Sequence, residues 1–266
     1  LYLIEDCAHS LGARFSSRPV GSFGKFSVFS FGRDKVISAV NGGVLLTSDQ
    51  KLFSNLPDNL PLPKTATILK NLFYAKACYF SRLTYDFLGL GKIIIALVKK
   101  FKLIPKITDV KENNCQDANI LKLGLPNCLA DLALGELNQL ERSNYHRRQL
   151  AELYKHTLKN NSSLVYPQEK PGDCHIFLRL ALKTNNRQFV YNYLKKRKIL
   201  LGNWYDQVVA PRAAALTSAD YIPDSCPVAE KMACAVVNLP NHLGVSVKDA
   251  ARVIKEINYL SNENQL

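Results

Sequence analysis

The chain has 266 residues, of which 47% are hydrophobic, so it can bury a sizeable core and form one large domain or two smaller ones. Its formal net charge of +13 is concentrated between Lys64 and Lys111, where ten Lys or Arg and two Asp leave an excess of 10 − 2 = +8. Seven scattered cysteines without a C-x-x-C pair, and five dispersed histidines, argue against a disulfide framework and a metal site and suit a reducing cytoplasm.

Residues 1–63 are predicted to form an α/β sheet region. Leu1–Ile4 reads as a buried strand already under way, and Phe26–Phe31 and Val44–Thr47 read as two more strands. Short apolar runs separated by polar turns are typical of a mostly parallel or mixed sheet. Because the sequence opens inside a strand and without an initiator Met, we expect N-terminal material to precede it.

Residues 64–125 form a basic segment that is predicted to contain two amphipathic helices, broken near Gly89-Leu90-Gly91. Its longest purely apolar run, Ile93–Val98, is far shorter than the roughly 20 residues that cross a bilayer. The segment is therefore expected to lie outside the sheet region and not to span a membrane.

Residues 126–266 are predicted to form one long helix, over Cys128–Leu158, followed by a smaller α/β domain. That domain is expected to contain a strand, a helix, a short strand, a helix opened by Pro227 and a closing helix with a capping box. In this order the ranges are His175–Leu182, Arg187–Lys198, Ile199–Leu201, Val228–Val237 and Ser246–Leu260.

Candidate chemical groups cluster at strand ends in the first 43 residues. Asp6 ends the first strand, where doubly wound sheets place ligand contacts. Ser30 ends a later strand, Lys35 follows it, and Asn41-Gly42-Gly43 leads into the next strand. Taken singly, these residues would be a helix cap, a strand hydroxyl, a surface charge and a turn, so their order and spacing carry the signal.

Segments 4–13, 21–24, 29–35 and 41–43 together resemble the DegT/StrS-type sugar aminotransferases, enzymes that depend on pyridoxal phosphate (PLP) and have the aspartate-aminotransferase fold. The resemblance covers nearly all of 1–53 and resumes over 126–260. It implies an α/β fold in which 1–63 is the rear part of the PLP-binding large domain. It also implies that 126–266 supplies a connecting helix and a small C-terminal α/β domain.

The resemblance assigns a role to each of four residues. Lys35 would bind the coenzyme aldehyde and, released by the incoming amino donor, would then move the proton between the substrate α-carbon and the coenzyme C4′. Asp6 would be a buried carboxylate that keeps the pyridine nitrogen protonated. Ser30 would bind the coenzyme phosphate, and His9 would lie near the ring and its 3′ oxygen.

The chain departs from the family pattern in two places. The family's main phosphate-binding turn and stacking aromatic have no counterpart in this sequence, so we expect them in the preceding material. Just before the long helix, where the family commonly has Asn and Arg, this chain reads Lys122-Leu123-Gly124-Leu125-Pro126. Lys122 is a candidate replacement for a phosphate contact.

The C-terminal region adds weaker candidates. Tyr205 falls near a loop that lines the substrate pocket in the family, whereas the neighbouring Trp204 is predicted to be a packing residue. Arg147 and Arg148 are predicted to be solvated charges or charges on a dimer face.

The predicted function is transfer of an amino group, from glutamate by resemblance, to a keto-sugar carried on a nucleotide or a similar anchor, for cell-surface glycan or related sugar biosynthesis. Alternatives are a PLP-dependent sugar dehydratase or lyase on the same scaffold, and a non-catalytic regulatory or scaffold relative. The presence of Lys35 favours transamination, because the best-known dehydratases of the family have His there. The resemblance also implies a homodimer.

Residues 68–104 of the basic segment have two interpretations of equal weight. Their helices could lie on an anionic membrane surface and hold a cytoplasmic enzyme at the periphery of the membrane. Alternatively, they could be a subunit contact or a lid whose lysines face water. Nucleic acid is not an expected partner, because Lys99–Lys102 and Lys195–Lys198 read as polar helix faces without a nucleic-acid-binding motif.

Overall fold

The computed structural model describes residues 1–84, 87, 89–101, 103–105, 122–158, 169–210 and 219–266. These residues divide into two compact units, which are described separately below. The first unit comprises 1–11, 18–105 and 122–140, and the second comprises 12–17 and 141–266, in each case within the described ranges. The end of the basic segment, 106–121, lies outside the described residues, and the domain limits at 63 and 125 stay predictions.

The first unit contains a three-stranded mixed sheet, as the sequence predicts. Its strands are β1 (Ile4–Asp6), β4 (Phe26–Ser30) and β5 (Gly43–Leu46), with β4 in the centre. β4 runs parallel to β1 and antiparallel to β5. Two strands of two residues each, β2 (Arg14–Phe15) and β3 (Arg18–Pro19), occur between β1 and β4 in the chain.

The two faces of this sheet differ in exposure. Ser27 and Phe29 of β4 are buried on one face. On the other face Val28 is 41% exposed, and Ile4 of β1, which pairs with Phe26, is 62% exposed. The prediction of a buried strand over Leu1–Ile4 is therefore wrong, because the strand begins only at Ile4 and residues 1–4 are exposed. Within the described residues, β1 pairs only with β4 and is an edge strand of this sheet.

Within the described residues, the first unit contains four helices. They are α1 (Gln50–Ser54), α2 (Thr65–Leu83), α3 (Leu90–Lys100) and α4 (Asn127–Leu137). The predicted pair of helices in the basic segment is confirmed, and Gly89 precedes α3 with a left-handed φ of 71° that favours glycine. Within the described residues, no helix has the length and apolar content to cross a bilayer.

The single long helix predicted over Cys128–Leu158 is wrong. The structure has α4, which ends at Leu137, and a separate α5 over Leu140–Thr157. Between them the Gln139 N–H donates to the carbonyl of Glu136 at 3.1 Å, three residues back instead of four. Asn138 has a low helix propensity, and the tight turn at this point ends the regular helix.

The second unit is an α/β unit around one core. Its further elements are β6 (Leu180–Lys183), α6 (Arg187–Lys196), α7 (Pro227–Ala235), β7 (Val236–Leu239) and α8 (Val247–Asn262). β6 and β7 pair antiparallel. Fully buried side chains from the helices and both strands, among them Leu150, Leu182, Leu194, Val237 and Ile257, pack in this core.

Several sequence predictions for this unit need correction. The strand expected over His175–Leu182 is ladder-paired only over Leu180–Lys183, and Ile199–Leu201 is not a strand, since the only bridge there is from Gly202 to Asn238. The helix opened by Pro227 ends at Ala235, because the next residues pair as β7 with β6. The closing helix is confirmed, and its capping box is present between Ser246 and Asp249.

Candidate active site

The loop that carries Lys35 is anchored at both of its ends. This lysine loop (31–42) leaves β4 after Ser30 and returns to the sheet at β5. The Phe31 N–H donates to the carbonyl of Gly42 at 2.8 Å, and the Phe31 carbonyl accepts from the N–H of Ala39 at 2.9 Å. These bonds hold the lysine at the end of β4 where strand and loop meet.

The glycine pair at the end of the loop is required by close backbone approach. A Cβ on Gly43 would lie 2.6 Å from the carbonyl oxygen of Phe29, and Gly42 has a φ of 110° in the left-handed region. Only glycine fits both conditions at these positions. The glycine pair therefore lets the backbone at the start of β5 approach that of Phe29 in β4.

Asp6 and Ser30 lie on the same face of the sheet, at neighbouring strand ends. The register pairs Asp6 with Val28 in the parallel ladder, and Ser30 is two residues further along β4 on that side. Carboxyl ends of adjacent parallel strands share an edge, where α/β sheets place ligands. Asp6 Oδ1 accepts from the Ala8 N–H at 3.0 Å. The carboxylate is exposed, which contradicts the expectation that it is buried.

Lys35 contacts His9 directly. The Lys35 Nζ lies 2.7 Å from His9 Nε2, so one of these two nitrogens supplies the lone pair and is unprotonated. Lys35 is half-buried. A Cβ on Gly32 would lie 3.5 Å from Ser30 Oγ and 3.6 Å from Lys35 Cγ, so both side chains border the same glycine. The structure thus brings Ser30, Lys35 and His9 together at the edge where Asp6 ends its strand.

Helix α2 packs against the lysine loop, a contact that was not predicted from the sequence. Asn41 Nδ2 donates to Oδ1 of the buried Asn71 at 3.2 Å, and the Arg33 guanidinium lies 5.1 Å from the ring centroid of Tyr74. Leu72 packs against a small cluster that includes Ala39 of the loop. The sequence signal was Asn71, a polar residue close to Leu69, Leu72 and Phe73.

Glu5 organises the turn that follows β3, and sequence reasoning gave it no role. Its carboxylate accepts three backbone N–H groups, from Gly21 at 2.8 Å, Phe23 at 2.6 Å and Gly24 at 2.7 Å. Burial acts to raise the pKa of Glu5, but these donors and the Arg18 charge outweigh it and hold the pKa below its ordinary value. A carboxylate at a strand end followed by a glycine-rich loop is the signal that could have found it.

We expect Glu5→Gln to lower the free energy of unfolding by about 1–2 kcal/mol at pH 7, because an amide oxygen is a weaker acceptor for these N–H groups. The pKa of Glu5 is lowered by folding, so its contribution is complete above its ordinary pKa of 4.5 and is lost as the pH falls through the folded value. Urea unfolding at pH 7 and below pH 4.5 measures this. The difference from wild type should shrink at the lower pH, whereas Glu136→Gln on the exposed surface of α4 should change stability little at either pH.

The four grouped side chains suit PLP in kind. An amine is the group that an aldehyde requires, a hydroxyl can donate to a phosphate, and a carboxylate favours a protonated ring nitrogen. The space that a Cβ on Gly32 would take, between Ser30 Oγ and the Lys35 stem, is left open by glycine. The residues present therefore fit this coenzyme, and their individual roles stay predictions.

The weaker candidates from the sequence are Lys122 and Tyr205, with Trp204 as a packing residue. Lys122 is exposed in the first unit, shortly before α4. Tyr205 belongs to the second unit, is 49% exposed and stacks on Trp204 with ring centroids 5.3 Å apart. Trp204 is half-buried beneath the Arg179 guanidinium, 4.2 Å from its ring, as a packing residue should be.

Arg147 is not the solvated or dimer-face charge that the sequence suggests. It is only 7% exposed, and its Nη1 donates to Asn144 Oδ1 at 2.7 Å. α5 turns this residue toward the interior of the second unit, whereas Arg148, one position on, is half-buried beside a surface pocket. The sequence does not distinguish the two adjacent arginines, but successive side chains of a helix point in different directions, so only Arg147 is turned inward.

The family model of the DegT/DnrJ/EryC1/StrS aminotransferases matches residues 1–57 and 107–258. The chain belongs to this family. The aminotransferases of this family are PLP-dependent, as the resemblance implied. The match omits 58–106, the part of the chain that contains α2 and α3.

Two relatives align with almost the whole chain. GDP-perosamine synthase of Escherichia coli O157:H7 is 24% identical over 97% of the chain, and UDP-N-acetyl-3-dehydro-alpha-D-glucosamine 3-aminotransferase of Acidithiobacillus ferrooxidans is 26% identical over 95%. A DegT/DnrJ/EryC1/StrS aminotransferase from Brucella abortus has a similar structure, with a TM-score of 0.63 and 20% identity over 98% of the chain. The chain spans 58%, 55% and 57% of these three proteins.

Proposed function

We propose that this chain takes part in a PLP-dependent aminotransferase reaction that moves an amino group from glutamate to a nucleotide-linked keto-sugar. The observation that carries the proposal is the Lys35–His9 contact of 2.7 Å at the sheet edge where Asp6 and Ser30 share a face. Support for the substrate comes from the two relatives, whose names contain a GDP-linked and a UDP-linked sugar.

The coenzyme, when bound, supplies an electron sink for the substrate α-carbon. Asp6 would hold the proton on the ring nitrogen, and Ser30 would donate its hydroxyl to the phosphate. Lys35 would bind the aldehyde carbon through its amine and, once the incoming amino donor has displaced it, would carry the proton between the substrate α-carbon and the coenzyme C4′. His9, which accepts from Lys35 when neutral, would orient that amine and sit near the ring oxygen.

The protein is proposed to act as a homodimer in the cytoplasm. Support for the location comes from cysteine chemistry: the six cysteines within the described residues are free, and Cys7 is buried. Burial raises the pKa of the Cys7 thiol, which keeps it protonated and unreactive at neutral pH. Cys115 lies outside the described residues.

A half-reaction tests the proposed function. The protein is mixed with PLP and L-glutamate, and we expect the coenzyme absorbance to change to that of pyridoxamine phosphate while 2-oxoglutarate forms in equal amount. D-glutamate is the matched control, because a chiral site should leave it unreacted.

Other outcomes point to the alternatives. Loss of water from a nucleotide-linked sugar without any amino-donor turnover would favour the dehydratase or lyase. An unchanged coenzyme spectrum with every amino donor would favour a scaffold relative and would contradict the proposal.

A further inference from the structure

Helix α2 presents an apolar stripe to solvent. Large side chains recur along one line of the helix at spacings of three, four and seven residues, which is one face of an α-helix. The stripe consists of Leu69, Phe73, Phe80 and Leu83, and all four are exposed, Leu83 to 63%. The opposite side of α2 carries the buried Asn71 and contacts the lysine loop, so the two faces of this helix have different partners.

Helix α3 repeats this arrangement. Its exposed stripe consists of Leu90, Ile93, Leu97 and Phe101, the last of these just past the helix end and 64% exposed. Gly91 and Val98 on another side are buried, and the Ser81 hydroxyl of α2 donates to the Gly91 carbonyl at 2.8 Å. The two helices are thus packed together while each keeps an apolar stripe in solvent.

The charges of this helix pair (α2 and α3) are all of one sign. The helices carry Lys70, Lys76, Arg82, Lys92, Lys99 and Lys100 and contain no Asp or Glu. Lys92, Lys99 and Lys100 are exposed on α3. Helical spacing places Lys100 next to the apolar stripe and Lys92 and Lys99 on the side of the helix away from it. An apolar face with lysines on the remaining surface of the same helix is typical of helices that lie in the interface of an anionic membrane.

We propose that the exposed face of the helix pair binds an anionic lipid surface. The apolar stripes would enter the headgroup boundary, and the lysines would contact lipid phosphates. A second copy of the chain fits this face poorly, because a two-fold contact places like charges against each other. The family match omits this part of the chain, so the inference is independent of the proposed enzymatic function.

Sedimentation with lipid vesicles tests the charge requirement. The protein should bind equimolar phosphatidylglycerol–phosphatidylcholine vesicles, bind phosphatidylcholine vesicles much more weakly, and dissociate as salt is raised. Replacing Lys92, Lys99 and Lys100 together by Gln should weaken binding about 100-fold, or about fivefold per lysine. The matched control changes Lys195, Lys196 and Lys198 of the second unit to Gln and removes the same charge.

The apolar requirement has its own variants. Phe73→Ser with Phe101→Ser should weaken vesicle binding by about tenfold per residue or more, while Ile222→Ser with Val228→Ser, two exposed positions of the second unit, should not. All four side chains are exposed, so the fold should tolerate each change.

Three outcomes would overturn the proposal. The first is no binding of the wild type to anionic vesicles. The second is an equal loss of vesicle binding in the variant of Lys92, Lys99 and Lys100 and in the variant of Lys195, Lys196 and Lys198. The third is an equal loss of vesicle binding in the serine variants of Phe73 with Phe101 and of Ile222 with Val228. A face that binds another copy of the chain would instead show itself in sedimentation equilibrium, as a dimer that Phe73→Ser with Phe101→Ser dissociates in the absence of lipid.

Discussion

Lys35→Ala is expected to abolish transamination, with turnover reduced at least about 1000-fold. The change removes the amine that binds the coenzyme aldehyde and also the group that transfers the proton, and loss of general acid–base catalysis alone costs about 10²- to 10⁴-fold. Borohydride reduction of the protein with PLP, followed by peptide mass spectrometry, should locate the coenzyme on Lys35 in the wild type and nowhere in the variant.

The matched control is Lys51→Ala, on the exposed surface of α1 in the same unit. It should keep both activity and the coenzyme attachment. Lys35 is half-buried and contacts His9, so the melting temperature of Lys35→Ala is compared with that of the wild type to separate lost chemistry from lost structure. Attachment of the coenzyme to another lysine, or activity within tenfold of wild type, would contradict the assignment.

Asp6→Asn is expected to lower turnover roughly 100-fold without unfolding the protein. The amide keeps an oxygen that can accept from the Ala8 N–H, and it removes the negative charge. A neighbouring opposite charge shifts a pKa by about 1–3 units, so the ring nitrogen should lose its proton at a lower pH in the variant. The pH–rate profile of Asp6→Asn should therefore move to lower pH.

This shift separates the proposed role from a purely structural one. If Asp6 only caps the turn through Ala8, then Asp6→Asn should leave both the rate and the position of the profile unchanged. Asp58→Asn, in an exposed stretch of the same unit, is the control and should behave as wild type. An unshifted profile at wild-type turnover would end the assignment of Asp6 as the partner of the ring nitrogen.

The local features of the fold were predictable from the sequence because they depend on neighbours in the chain. The Ser246–Asp249 capping box and the glycine break before α3 both follow from short-range backbone geometry. The predicted ends of helices and strands were wrong where a distant segment of the chain determines where the element ends. β6 is only four residues long, because its ladder partner β7 is a separate stretch of four residues.

The candidate site divides in the same way. The four residue types of the site and their order could be predicted from the sequence, since strand ends and a glycine pair mark positions where ligand-binding residues are expected. The three N–H donors to Glu5 and the packing of Asn71 on Asn41 were not readable, because they join residues 16 to 30 positions apart through the fold. Exposure of Asp6 likewise depends on which elements cover the sheet.

The sequence by itself determined the family, the chemical groups available at the strand ends and the presence of a basic helix pair, since these follow from residue identity, spacing and periodicity. Only the tertiary structure decided that the Lys35 amine meets His9, that Arg147 points inward and that α2 supports the lysine loop with one face while its other face remains in solvent. Such contacts depend on the packing of distant segments, which local propensity does not encode.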